Sequence, residues 1–303
     1  MGPKRQLWVL YIAIVLGILP CSSHAGAKVT GKLSVYVVNY PLKYFAERVG
    51  GEHVRVVFPG PADEDPADWV PDIKVIADYQ KADLILLNGA GYARWVNRVS
   101  LPRSKMVNTS AKFKDQYIRT KGAVTHSHGS GGEHAHEDAA FTTWMDFNLA
   151  AKQARAIAVA YGRKRSTLKN TFEKKIIELE KDLFALDRNI KVLVSNNQSQ
   201  PLIASHPVYD YFARRYGLNI KNVHWEPDQV LTDQLWMELQ KILKTHAAKW
   251  MIWEGDPIQE SIAKLKSVGI NSLVFNPCAN VPQKGDFLSV MQKNVKNLAV
   301  AFE

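Results

Sequence analysis

Cysteine is nearly absent from this 303-residue chain: only Cys21 and Cys278 occur. Cys21 falls in a leader segment, so the rest of the chain can form no internal disulfide and must gain its stability from burial. A single remaining cysteine is more often a small buried hydrophobe than a nucleophile or soft ligand. Enzyme signatures are missing as well, with no H-E-x-x-H, no G-x-S-x-G, no Walker loop and no G-x-G-x-x-G. No run after Leu19 approaches the roughly 20 apolar residues that cross a bilayer. The chain is basic, with 39 Lys and Arg against 29 Asp and Glu, but the positive charges are scattered among acids and follow no nucleic-acid motif. These absences argue against an enzyme, a membrane-embedded protein and a nucleic-acid partner.

What is present begins with export. Lys4 and Arg5 precede an apolar run from Leu7 to Leu19, then Pro20 and the small-residue stretch Cys21-Ser22-Ser23-His24-Ala25. This order reads as a signal peptide over 1–25, cleaved near Ala25. The run is too short for a retained anchor, and Pro20 is a poor neighbour for a lipid-modified Cys21. The expected location is therefore the periplasm.

The remainder alternates strand and helix patterns, which predicts an α/β fold with mainly parallel sheets. Strands are expected at Leu33–Val38, His53–Phe58 and Ala82–Gly89, with helices over Tyr40–Val49 and Asp72–Lys81. Composition turns to His, Gly, Ser and Glu over Thr125–Asp138, marking a loop. Helical patterns follow at Trp144–Tyr161 and Ser166–Asp187, the second with Leu168, Phe172, Ile176, Leu179 and Leu183 on one stripe. The alternation then resumes: strands at Lys191–Val194, Ile220–Trp225, Trp250–Trp253 and Ser272–Phe275, and helices at Val208–Tyr216, Thr232–His246 and Pro257–Val268. The expected organisation is two lobes, each a mainly parallel sheet flanked by helices, joined by one long helix. The first lobe covers 26–164 with the His-rich loop at 125–138, the linking helix 165–189, and the second lobe 190–303. Ligands of such lobes bind in the cleft beyond the carboxyl ends of the strands.

The His-rich loop is the clearest chemical signal. His126, His128, His134 and His136 share it with Glu133, Glu137 and Asp138, a donor mixture suited to a borderline cation such as zinc. A solubilising tract is the plain alternative. His206, in Ser205-His206-Pro207, precedes a helix in which Pro207 suits the first turn, leaving the imidazole beside the expected cleft. The loop Pro61–Trp69 carries Asp63, Glu64, Asp65 and Asp68, which either cap helices or offer oxygen ligands. Glu226 and Glu254 also follow strands and are candidates to line the cleft, with helix capping and hydrogen bonding between the lobes as equal readings.

Four stretches carry a family resemblance: Asp65-Pro66-Ala67-Asp68-Trp69-Val70-Pro71, Lys81–Gly89, Phe141-Thr142-Thr143-Trp144-Met145-Asp146 after the His-rich loop, and His206–Leu218. Their order resembles the zinc- and manganese-binding solute receptors of bacterial ABC importers, over essentially the whole exported chain. The resemblance implies two α/β lobes on a rigid backbone helix. It also implies capture of a divalent cation, zinc or else manganese, for delivery to the importer's permease at the inner membrane, by a monomer. Family members hold the metal with three histidines and one carboxylate. Here Ala67 stands at the first histidine, Thr142 at the second and Asn276 at the final aspartate, while His206 matches the third histidine. The expected ligand set is therefore His206 with His136, His134, His128 and His126, Asp65 and Asn276. Alternative readings keep the fold but bind a metal chelate or small organic solute, or make the protein a metal chaperone or adhesin.

Overall fold

The computed structural model describes Gly2, residues 31–119 and residues 139–303. The expected leader and its cleavage site lie outside the described residues, as does the whole His-rich segment. Lys32–Glu303 forms one compact unit, and among the described residues no helix is long and apolar enough to cross a membrane.

The first half builds β1 (Leu33–Val37), α1 (Tyr40–Gly50), β2 (Val54–Val57), α2 (Ile73–Lys81), β3 (Leu84–Leu87) and β4 (Met106–Asn108). All four strands are parallel, in the order β2-β1-β3-β4. Central β3 is Leu-Ile-Leu-Leu, a continuous apolar run as a strand covered on both faces requires. α3 (Phe147–Lys164) and α4 (Lys169–Val194) follow. The second half repeats the plan with β5 (Pro201–Ala204), α5 (Asp210–Tyr216), β6 (Asn219–Asn222), α6 (Asp233–Leu243), β7 (Trp250–Trp253), α7 (Gln259–Ser267), β8 (Asn271–Val274) and α8 (Phe287–Ala299). Its strands are again parallel, in the equivalent order β6-β5-β7-β8. The two-sheet α/β fold with a long helix between the sheets is the one expected.

One element is corrected. Lys191–Val194 is no strand but the last turn of α4, and the strand of that lobe lies at Pro201–Ala204. The reason is side-chain periodicity. Ile190 and Val194 are buried on the same stripe as Phe172, Ile176, Leu179, Leu183 and Leu186, whereas Val192 is 73% exposed. Burial spaced three to four residues apart fits a helix and defeats the alternation a strand would need. Pro201 is tolerated in central β5 because it is the first residue of the strand.

In each sheet the chain leaves the central strand (β1 or β5) to one side and returns on the other, creating a switch point between β1 and β3 and another between β5 and β7. Crevices at the carboxyl ends of such strands are where parallel α/β sheets bind ligands. Asn39 and Asn88 emerge at the first switch point, His206 and Glu254 at the second. The first is filled by a buried polar network: Asn39 Nδ2 donates to Asn88 Oδ1 (3.4 Å), and Gln153 Nε2 donates to Asn88 Oδ1 (3.1 Å) and Thr109 Oγ1 (3.0 Å). Asn88 Nδ2 in turn donates to the Phe141 carbonyl (2.8 Å), which fixes the 141–145 segment over the sheet edge.

Candidate metal-binding cleft

The second switch point is built by three short loops. After β5, Trp225 N–H donates to the Ser205 carbonyl (2.7 Å), clamping the β6 loop against the turn that carries His206. The imidazole is then flanked by two carboxylates: Nε2 lies 3.9 Å from Glu226 Oε1, and Nδ1 lies 3.9 Å from Glu254 Oε1. His224 stands edge-on to the ring, with centroids 5.7 Å apart. Asp65 and Asp68, from the loop after β2, reach the same region and act electrostatically on His206. Burial pushes the His206 imidazole below its ordinary value against the pull of these acids, so at neutral pH the ring is neutral, the form that can ligate a cation.

Glu254 is pushed from an ordinary 4.5 to about 7, first by burial and then by repulsion from Glu226 and Asp65. A carboxyl raised in the folded state costs stability as pH climbs from 4.5 to 7, and the cost is complete above that window. In metal-free protein, Glu254→Gln is therefore expected to be more stable than the parent by about 3 kcal/mol at pH 8 and no more stable at pH 4. Urea melts at the two pH values check this; a variant equally stable at both would sink it.

The three positions that depart from the resemblance are structurally employed. Ala67 is buried, and its N–H is held by Asp65 Oδ1 at 2.8 Å. Thr142 is buried, and its hydroxyl donates to the Val208 carbonyl (2.7 Å), a bond between the two halves. Asn276 accepts from Cys278 N–H through Oδ1 (2.6 Å), while its N–H donates to Asn294 Oδ1 (3.0 Å). The Cys278 thiol is buried and pushed up to about 12, chiefly by burial, as suits a packing residue.

Of the expected ligands, His206 and Asp65 are brought to one region, whereas Asn276 serves the β8 loop. His126, His128, His134 and His136 lie outside the described residues. Among the described residues no three His, Cys, Asp or Glu side chains converge closely enough to hold a metal ion. Glu226 and Glu254 each stand 3.9 Å from one nitrogen of His206.

Sequence reasoning passed over Tyr92. It sits in Gly89-Ala90-Gly91-Tyr92-Ala93, where every residue except Tyr92 has positive φ, a conformation costly for the two alanines. At Gly89 a Cβ would strike Ser110 Oγ at 2.0 Å, so only glycine fits. The turn packs the tyrosine edge-on against Phe141 and Trp144, 5.2 and 5.7 Å between centroids. Its hydroxyl is buried without a hydrogen-bond partner, within electrostatic reach of Asp65 and Asp68. The paired glycines after a strand were the only available signal.

The chain is 25% identical to the zinc-binding lipoprotein AdcA of Streptococcus pneumoniae over 97% of its own length, but spans only 60% of that relative. It is 24% identical to the high-affinity zinc uptake system protein ZnuA of Bacillus subtilis, over 88% of this chain and 86% of that one. The crystal structure of the metal-dependent lipoprotein YcdH from Bacillus subtilis shares the fold, with a TM-score of 0.77 at 23% identity, covering 90% of this chain and all of that one. A family model described as zinc-uptake complex component A, periplasmic, matches residues 35–301. That match takes in both sheets and the loops around His206, and the chain belongs to this family.

Proposed function

We propose that the chain captures a divalent transition metal outside the cytoplasm, zinc first and manganese as the alternative, and passes it to the permease of an ABC importer. The observation that carries this reading is an imidazole, His206, set at a sheet switch point between Glu226 and Glu254, with Asp65 and Asp68 close enough to act on it. Imidazole with carboxylates is a donor set for zinc. His206 is the first ligand, with Asp65 and Glu226 as nearby oxygen donors. The remaining donors come from His134 or His136 first, and from His126 and His128.

The place where the His-rich segment joins the body supports that assignment. Arg119 pairs with Ala139, Ala140 N–H donates to the Ile118 carbonyl (2.8 Å), and Ile118 N–H donates to the Tyr211 hydroxyl (3.2 Å) on the helix that follows His206. Ile118 and Ala140, which flank the segment, are thus tied to each other and to the helix that follows His206. Isothermal titration of the exported chain is expected to show zinc binding at micromolar concentration or tighter, weakened by deletion of Thr125–Asp138. No heat of binding with zinc or manganese at micromolar concentration would end this reading.

A second reading, uptake of the cation as a chelate, is favoured by the Tyr92 hydroxyl. It is a buried donor without an acceptor, and a bare cation offers none. Elemental analysis together with mass spectrometry of the co-purified ligand separates the two.

A further inference from the structure

A histidine presents two nitrogens, and which one is free to bind a cation depends on what holds the other. In His206 the two are not equivalent. Nδ1 is buried and has no hydrogen-bond partner, whereas Nε2 is not among the buried unpartnered atoms and faces Glu226, whose side chain is 47% exposed. A buried polar nitrogen is as a rule hydrogen-bonded, and this one is closed to bulk solvent. The acceptor at hand is Glu254 Oε1, 3.9 Å away, on a side chain only 23% exposed. The pair is looser than a hydrogen bond, as such pairs commonly are before a ligand arrives, and closure of about 1 Å completes it.

We infer that Glu254 is a positioning residue: it accepts the Nδ1 proton of His206 and holds the ring with the Nε2 lone pair directed to the Glu226 side of the cleft. The consequence for capture rests on the metal-binding reading above; the tautomer itself does not. Carboxylate-to-imidazole bonds of this kind fix ring orientation and raise ligand basicity, and their loss typically costs 10–100-fold in metal affinity. Glu254 therefore acts through His206 and does not touch the cation.

The test uses nitrogen-15 labelled exported chain without metal at pH 8, with long-range proton–nitrogen correlation spectra of the His206 ring. The wild type is expected to carry its proton on Nδ1. Glu254→Gln retains a carbonyl acceptor and should keep that tautomer, whereas Glu254→Leu should lose it. Zinc titration should then show a 10–100-fold loss for Glu254→Leu and a clearly smaller one for Glu254→Gln.

An Nε2–H tautomer in the wild type overturns the inference. So does an unchanged tautomer in Glu254→Leu, or an equal loss of zinc affinity in both variants, which is what removal of a negative charge alone would give. Should Glu254→Leu fail to fold, the wild-type and Glu254→Gln tautomers decide the matter. A wild type that takes up no zinc yet is protonated on Nδ1 refutes metal capture and leaves the positioning role standing.

Discussion

Replacing His206 with alanine is expected to weaken zinc binding on the order of 100-fold, about 2.7 kcal/mol. The size follows from what the substitution leaves behind. Asp65, Asp68 and Glu226 remain as oxygen donors, which suit hard cations better than zinc, and the imidazoles proposed from His134 or His136 lose the histidine partner at the switch point. His224 stands nearby but presents its ring edge-on to His206 from an exposed position. Ala67 and Thr142 offer no imidazole to take over, and Thr142 is tied to the Val208 carbonyl. Titration calorimetry on parent and variant checks the prediction, with Asp65→Asn expected to lose less. A change of under threefold for His206→Ala would show that the cation sits elsewhere.

Trp144→Ala is expected to cost about 3–5 kcal/mol of stability, the usual range for deleting a large buried aromatic. The side chain is fully buried. It packs against Tyr92 on one side, and its indole N–H donates to the Pro277 carbonyl (2.8 Å), joining the 141–145 segment to the loop after β8. Alanine removes the packed volume and leaves that carbonyl without its donor. Trp144→Phe keeps most of the volume and forfeits mainly the bond, an expected cost of about 1–2 kcal/mol. Denaturant titration followed by circular dichroism measures both. A loss below 1 kcal/mol for Trp144→Ala would mean that the junction between the halves is not held there.

Much of the fold was legible because burial imposes periodicity on sequence. Leu84–Leu87 reads as a covered strand, and Phe172, Ile176, Leu179 and Leu183 read as one helical face, for the same reason that they pack so. The error at Lys191–Val194 arose where four residues were too few to distinguish a strand from a helix end; only the exposure of Val192 decides it. Strand β5, at Pro201–Ala204, hid behind a proline that ordinarily argues against a central strand. Glu254 could be placed because it directly follows β7, and Glu226 because the pattern Ile220–Trp225 ends beside it, although β6 itself stops at Asn222; carboxyl-end loops converge. Their distances from His206 could not be read, since these depend on the clamp between Trp225 N–H and the Ser205 carbonyl. Tyr92 was invisible because its placement comes from a left-handed turn whose two alanines give no sequence warning.

The bonds that cross from one half to the other are many and short. Besides the Trp144 and Thr142 links, Tyr40 N–H reaches the Ala279 carbonyl (3.0 Å), Asn280 Nδ2 reaches the carbonyls of Pro61 (2.6 Å) and Glu64 (3.0 Å), and Arg214 reaches the Gln116 carbonyl (2.6 Å). Helix α4 takes part with both halves through Asp182 to Arg48 and Asp187 to Arg215. A body stitched in this way has no free jaw to swing shut. Any partner that tells a filled molecule from an empty one must sense a change of charge and loop posture at the rim, on the scale of a side chain rather than a domain.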